Sequence, residues 1–169
     1  SLRKEKREIV PLDIRLSSEK HIILISGPNA GGKSVCLKTV GLLQYMLQCG
    51  LLIPVSELSE AGIFEDIFID IGDEQSLEND LSTYSSHLQN MKHCLKHAGR
   101  NSLVLIDEFG TGTEPTAGGA IAEAVLAEFV HHGVFGVITT HYANLKYYAS
   151  EQEGVMNGAM LFDEREIKP

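Results

Sequence analysis

One octapeptide limits what this chain can become. Gly27-Pro28-Asn29-Ala30-Gly31-Gly32-Lys33-Ser34 fits the pattern G-x-x-x-x-G-K-[ST]. Its flanks fit the same reading. Residues 21–26 form a short, β-branched apolar run that predicts a buried strand, and residues 35–49 predict a mostly apolar helix. Gly27, Gly31 and Gly32 let the backbone curl, so that successive N–H groups from Asn29 to Val35 converge on one point. The helix start near Gly32 adds its partial positive charge. The stretch therefore predicts a phosphate cradle, with Lys33 reaching the β- and γ-phosphates and the Ser34 hydroxyl completing a Mg²⁺ shell.

A second pattern depends on the first. Residues 102–106 are an apolar strand that runs into Asp107 and Glu108. Strands often end in acids, so the pair says little alone; downstream of a phosphate loop it says more. A parallel α/β sheet holds its ligands at the carboxyl ends of its strands. Asp107 is then placed to hold Mg²⁺ through water, and Glu108 to act as general base on an attacking water. Residues 134–140 form another apolar strand and deliver His141 to the same edge, where it can hydrogen-bond a γ-phosphate or the attacking water.

The rest of the chain supplies the frame. Residues 9–16, broken by Pro11, read as an edge strand. Gly50 caps the first helix, residues 51–55 read as a short buried strand, and residues 63–71 as a partly alternating one. From about residue 83 to 97, Tyr84, Leu88, Met91 and Leu95 recur at helical spacing. That helix also carries His87, His93, Cys94 and His97. His93 and His97 are four apart, but two ligands do not make a zinc site, and a polar helix face is the better reading. Residues 110–115 read as a flexible connector. Residues 116–132 read as an amphipathic helix with Ile121, Val125, Leu126, Phe129 and Val130 on one side. A short helix (144–150) and a last strand (155–163) follow. The expected fold is α/β, with a mostly parallel central sheet flanked by helices.

Composition matters chiefly for partners. With 14 basic and 23 acidic residues the net charge is −9, whereas a surface that grips nucleic acid is basic. If DNA or RNA is handled, most of that contact is expected outside these 169 residues. The mixed-charge residues 1–8 read as a solvated end or domain junction rather than a nucleic-acid patch. Three cysteines (Cys36, Cys49, Cys94) with no close pairing suit a reducing, cytoplasmic setting. No apolar run approaches a membrane span, and both ends read as cut from a longer protein.

Taken together, Gly-Pro-Asn-Ala-Gly-Gly-Lys-Ser, Ile-Gly-Asp-Glu-Gln, Leu-Ser-Thr-Tyr-Ser-Ser-His, Leu-Ile-Asp-Glu-Phe-Gly-Thr-Gly-Thr and Thr-Thr-His-Tyr resemble the ATPase domain of MutS proteins. These are P-loop NTPases of the ABC type. The resemblance covers almost the whole chain. Asp-Glu-Gln-Ser-Leu and Gly-Thr-Glu-Pro look most like the bacterial MutS-II branch; the mismatch-repair branch more typically has Gly-Arg-Gly-Thr-Ser, and Met in place of Ala30. The resemblance implies ATP and Mg²⁺ as ligands. It puts Gln75 in a loop near the metal and attacking water, Asn29 near the γ-phosphate, and His141 at the switch histidine. Ser82 and Thr83 match a signature segment that reaches across a homodimer to the partner's γ-phosphate, so that each site is composite. It further implies core, clamp and Smr nuclease domains elsewhere in the protein, acting on branched or duplex DNA, in recombination suppression or mismatch repair, or on stalled ribosomes.

Three other classes fit less well. An ABC transporter motor would carry Leu-Ser-Gly-Gly-Gln where this chain has Leu-Ser-Thr-Tyr-Ser. A non-hydrolysing, ATP-gated dimerisation module would not need Lys33, Ser34, Asp107, Glu108 and His141 together. A small-molecule kinase would add an Arg-rich lid, and none follows.

Overall fold

The computed structural model describes residues 10–28, 31–72 and 80–160, with the backbone alone for residues 80–84. Nine elements alternate along the chain: β1 (Lys20–Ser26), α1 (Lys33–Gln48), β2 (Asp66–Asp70), α2 (Asp80–His97), β3 (Ser102–Ile106), α3 (Pro115–His131), β4 (Phe135–Thr139), α4 (Ala143–Glu151) and β5 (Gly154–Ala159). The strands form one sheet in the order β2-β3-β4-β1-β5. Every pairing is parallel, so the expected mostly parallel sheet is wholly parallel among the described residues. A helix lies between each strand and the next along the chain, and that crossover is what parallel pairing requires.

Period-two alternation sorts the sheet's side chains into two cores. Leu103 and Leu105 of β3 and Val137 of β4 pack with Cys36 and Leu37 of α1 on one face. Val104, Ile106 and Ile138 pack on the other with Met91 and Cys94 of α2, Leu126 and Phe129 of α3, and Leu145 of α4. All five residues of β3 are buried, as their unbroken apolar run implies for a strand covered on both faces.

Several expectations fail, each for a local reason. Residues 10–17 pair with no strand; β2 and β5 hold the two edges, and Ile14 and Leu16 only lean on the α1-side core. Residues 51–55 are not a buried strand either. Gly50 ends α1 at a left-handed φ of 74° and Leu52 is 97% exposed. Ile121 lies on the outer side of α3, while Gly118, Gly119 and Ala122 join the expected Val125, Leu126 and Phe129 on the buried face. The supposed connector is a packed turn: Gly110 is buried and its carbonyl accepts the Tyr142 hydroxyl at 3.0 Å. A Cβ at Gly118 would overlap the Gly110 carbonyl, so α3 starts hard against this turn. The final strand runs to Ala159; residues 161–169 lie outside the described residues.

Candidate functional site

β1, β3 and β4 run parallel, so the residues that follow them emerge along one edge. The backbone laces that edge together. The Phe109 amide donates to the Thr139 carbonyl at 2.8 Å, the Thr140 amide to Ile25 at 3.1 Å, and the Asp107 amide to Asp70 at 2.9 Å.

After β1 the chain turns through Gly27 (φ 132°) and Gly32 (φ 84°), conformations that glycine adopts without a Cβ penalty. Gly32 is the N-cap of α1 and has no side chain with which to cap it, and the first turn carries no acidic residue. N–H groups at the positive end of a helix suit an anion. Lys33 opens the helix, 1% exposed, and its ammonium donates to the Gly27 carbonyl at 2.5 Å. Gly27 and Gly31 are backed by Met160, just past β5, which leaves no room for side chains on that side of the loop. Pro28 is exposed, Ser34 half-buried and Val35 exposed. Asn29 and Ala30 lie outside the described residues.

Asp107 is 6% exposed, directly after β3. Its Oδ1 accepts the Thr139 hydroxyl, and the oxygen of that hydroxyl accepts the Glu108 amide at 2.8 Å. One buried threonine thus bridges two consecutive acids. Glu108 has φ 51°, the one described non-glycine residue with positive φ. Such a conformation costs about 1–3 kcal/mol and persists where its surroundings over-determine it. Here the bridging hydroxyl and the Phe109–Thr139 bond fix it from both sides. Glu108 Oε1 comes within 3.7 Å of His141 Nε2, with 24% and 42% of the two side chains exposed. The acid and the histidine predicted from separate strands therefore meet.

Other predicted residues fall elsewhere. Gln75 lies outside the described residues, and Ser82 and Thr83 are placed on the first turns of α2 by backbone alone. On the same helix the His93 and His97 rings stand 4.3 Å apart, and His97 Nδ1 donates to the His93 carbonyl at 2.9 Å. Among the described residues no third ligand type joins them in a metal-sized group.

Sequence reasoning passed over Thr139, although a polar residue closing an otherwise apolar strand at the ligand edge was a usable signal. It also passed over Asp70, which ends β2 as Asp107 follows β3. Asp70 is paired with His87 of α2 at 2.8 Å. That bond, together with the charge of Asp70 and of Glu108, holds the His87 pKa above its ordinary value against the opposing effect of burial. Burial pushes the Cys94 thiol up to about 11 and raises that of Cys36, so neither is a ready nucleophile.

Comparison with known proteins gives the family. Residues 23–168 match the domain described as MutS domain V. The chain is 48% identical over 165 residues to the Endonuclease MutS2 of Finegoldia magna, covering 98% of this chain and 21% of that protein. It is 48% identical over 166 residues to the Endonuclease MutS2 of Caldanaerobacter subterraneus, with the same coverage. The protein of that name in Halalkalibacterium halodurans is 50% identical over 162 residues, or 96% of this chain and 21% of its own. The chain spans about a fifth of the length of these curated relatives. On the extent of the domain match and these identities, the chain belongs to the MutS family, in its domain V.

Proposed function

We propose that the chain is the ATP-hydrolysing domain of a MutS-II-branch protein, with a P-loop fold of the ABC type. The observation that carries the reading is one strand edge bearing a buried lysine in a glycine loop, a buried aspartate, and a glutamate within 3.7 Å of a histidine. The strand order supports the fold: β4 is inserted between the loop-bearing β1 and the acid-bearing β3 and brings His141 between their two groups. The glycine-led start of α1 and the buried Lys33 suit a triphosphate. Ser34 and Asp107 would hold Mg²⁺, which when bound neutralises phosphate charge. Lys33 neutralises the phosphates from the loop side. Glu108 takes the proton of the attacking water, and His141 orients that water or senses the γ-phosphate.

The remainder of the reading concerns the whole protein. The name shared by the relatives supports the MutS-II branch. Two such domains would sandwich two ATP molecules, with Ser82 or Thr83 completing the partner's site and Gln75 near the metal. Closure and release would then drive a clamp on DNA or on a stalled ribosome. The net charge of −9 supports nucleic-acid contact through other domains. The three free cysteines suit the cytoplasm, and no described helix is long and apolar enough to cross a membrane.

Two variants test the core of this proposal. Lys33→Ala is expected to lose ATP binding in a fluorescent-nucleotide titration. Glu108→Gln is expected to bind ATP as the parent does while hydrolysis falls by about a hundredfold or more. Parental turnover in Glu108→Gln would remove Glu108 from the role of base.

A further inference from the structure

The helix that carries Ser82 is held by two different kinds of contact. Its C-terminal half packs through Met91, Cys94 and Leu95 into the core beneath the sheet. At its middle, beside Leu88 and Met91, two polar contacts converge on one residue. His87 Nδ1 donates to Asp70 Oδ2 at 2.8 Å, and Asn90 Nδ2 donates to Asp70 Oδ1 at 2.9 Å. Both oxygens of a buried carboxylate are thus engaged by one helix. The carbonyl of the same Asp70 accepts the amide of Asp107 at 2.9 Å. A continuous hydrogen-bonded path therefore runs from α2 through one residue to the acid at the end of β3. His87, Asp70, Asp107 and Glu108 also line one narrow crevice under that edge.

A buried ion pair is a weak device for stability alone, because desolvation offsets most of the attraction. Apolar residues at these positions would hold α2 to β2 at least as well. What the polar arrangement adds is direction, since it sets where α2 sits along the end of β2. His87 and Glu108 also line the same crevice.

We propose that Asp70, His87 and Asn90 form a clasp that fixes α2 to the acid-bearing edge and so holds Asp107 and Glu108 in position for hydrolysis. They are positioning residues. The role rests on the nucleotide reading above, and it places the helix of the expected partner-facing segment in mechanical contact with the hydrolytic acids.

The test compares His87→Leu, which loses the bond, with His87→Asn, which keeps a donor near the Nδ1 position. Asp70→Asn and the double variant Asp70→Asn/His87→Leu complete the set. ATP affinity, single-turnover hydrolysis and, without nucleotide, amide exchange at Asp107 are measured in this chain. For His87→Leu the clasp requires Kd within about threefold of the parent and hydrolysis slower by about tenfold or more. It also requires faster exchange at Asp107. His87→Asn is expected to recover most of both. The double variant is expected to be no slower than the slower single, because both break one link. Parental hydrolysis or unchanged amide protection in His87→Leu overturns the proposal, as does a His87→Asn variant no better than His87→Leu. If His87→Leu fails to fold, the His87→Asn and Asp70→Asn pair decides by the same criteria. Glu108→Gln is run alongside. If the parent binds no ATP, the nucleotide reading fails, and if Glu108→Gln hydrolyses ATP like the parent, Glu108 is not the base; in both cases amide exchange still judges the clasp. If Glu108→Gln stalls and His87→Leu does not, the clasp alone fails.

Discussion

Thr139 is fully buried at the end of β4 and uses one oxygen twice, donating to Asp107 and accepting from the Glu108 amide. Val is nearly the same shape and lacks the hydroxyl, so Thr139→Val keeps the packing and leaves the Asp107 oxygen and the Glu108 amide each short of a partner. The expected cost in stability is about 1–3 kcal/mol. The larger effect is expected in turnover, because Glu108 then loses one of the bonds that fix its strained φ. Displacement of a reacting group by even about 1 Å can cost roughly a hundredfold. Steady-state kinetics should therefore show kcat falling with KM little changed, and Thr139→Ser restoring most of it. A Thr139→Ser variant as slow as Thr139→Val would assign Thr139 to packing instead. The glycine loop with Lys33 and the strand-end Asp-Glu pair were legible as features of one edge because spacing along the chain encodes them. Thr139, Asp70 and His87 were not, because their significance lies in cross-strand and helix–strand neighbours that no local pattern records.

α3 shows how an element's start can be set by one carboxylate. Pro115 at the first position has no N–H to satisfy, and Glu114 takes the next two: its Oε1 accepts Thr116 N–H at 2.9 Å and its Oε2 accepts Ala117 N–H at 2.8 Å. These bonds hold the Glu114 carboxyl below its ordinary value of 4.5. A depressed folded pKa contributes stability above the unfolded value and loses it as pH falls through the folded one. Glu114→Ala is therefore expected to melt at a lower temperature than the parent at pH 7. That gap should close as the pH falls from about 4.5 through the lower folded pKa. Thermal melts from neutral to acid pH check this, and a gap of constant size would mean the cap is not acting through charge. Helices and buried strands were legible as elements because each buries a face with its own period. The leucines of residues 51–55 misled for the converse reason: an apolar run states only that burial is favourable, and these residues meet no core within the described chain.

Strand order is a property of the whole molecule, and it decides which loops become neighbours. Neither the insertion of β4 between β1 and β3 nor the place of β5 beyond β1 follows from local pattern, since every apolar strand here could pair with any other. Once the order is set, Lys33, Asp107, Glu108 and His141 must share an edge. That edge is open: the Glu108 and His141 side chains keep 24% and 42% of their surface exposed. A hydrolytic base works best where water is excluded apart from the reacting molecule. On the proposed ATPase reading the edge is covered when nucleotide binds, and a second copy presenting the start of its α2 would do so. Light scattering of Glu108→Gln, where ATP persists, is expected to move from the 18.5 kDa monomer to about twice that mass with Mg-ATP, and to stay monomeric without it. Adding Ser82→Ala should weaken the dimer without weakening ATP binding to the monomer, because Ser82 is expected to act on the partner's nucleotide. If Glu108→Gln instead binds ATP tightly and stays monomeric, this chain does not form the composite site alone. The surface that closes the edge would then belong to the rest of the protein.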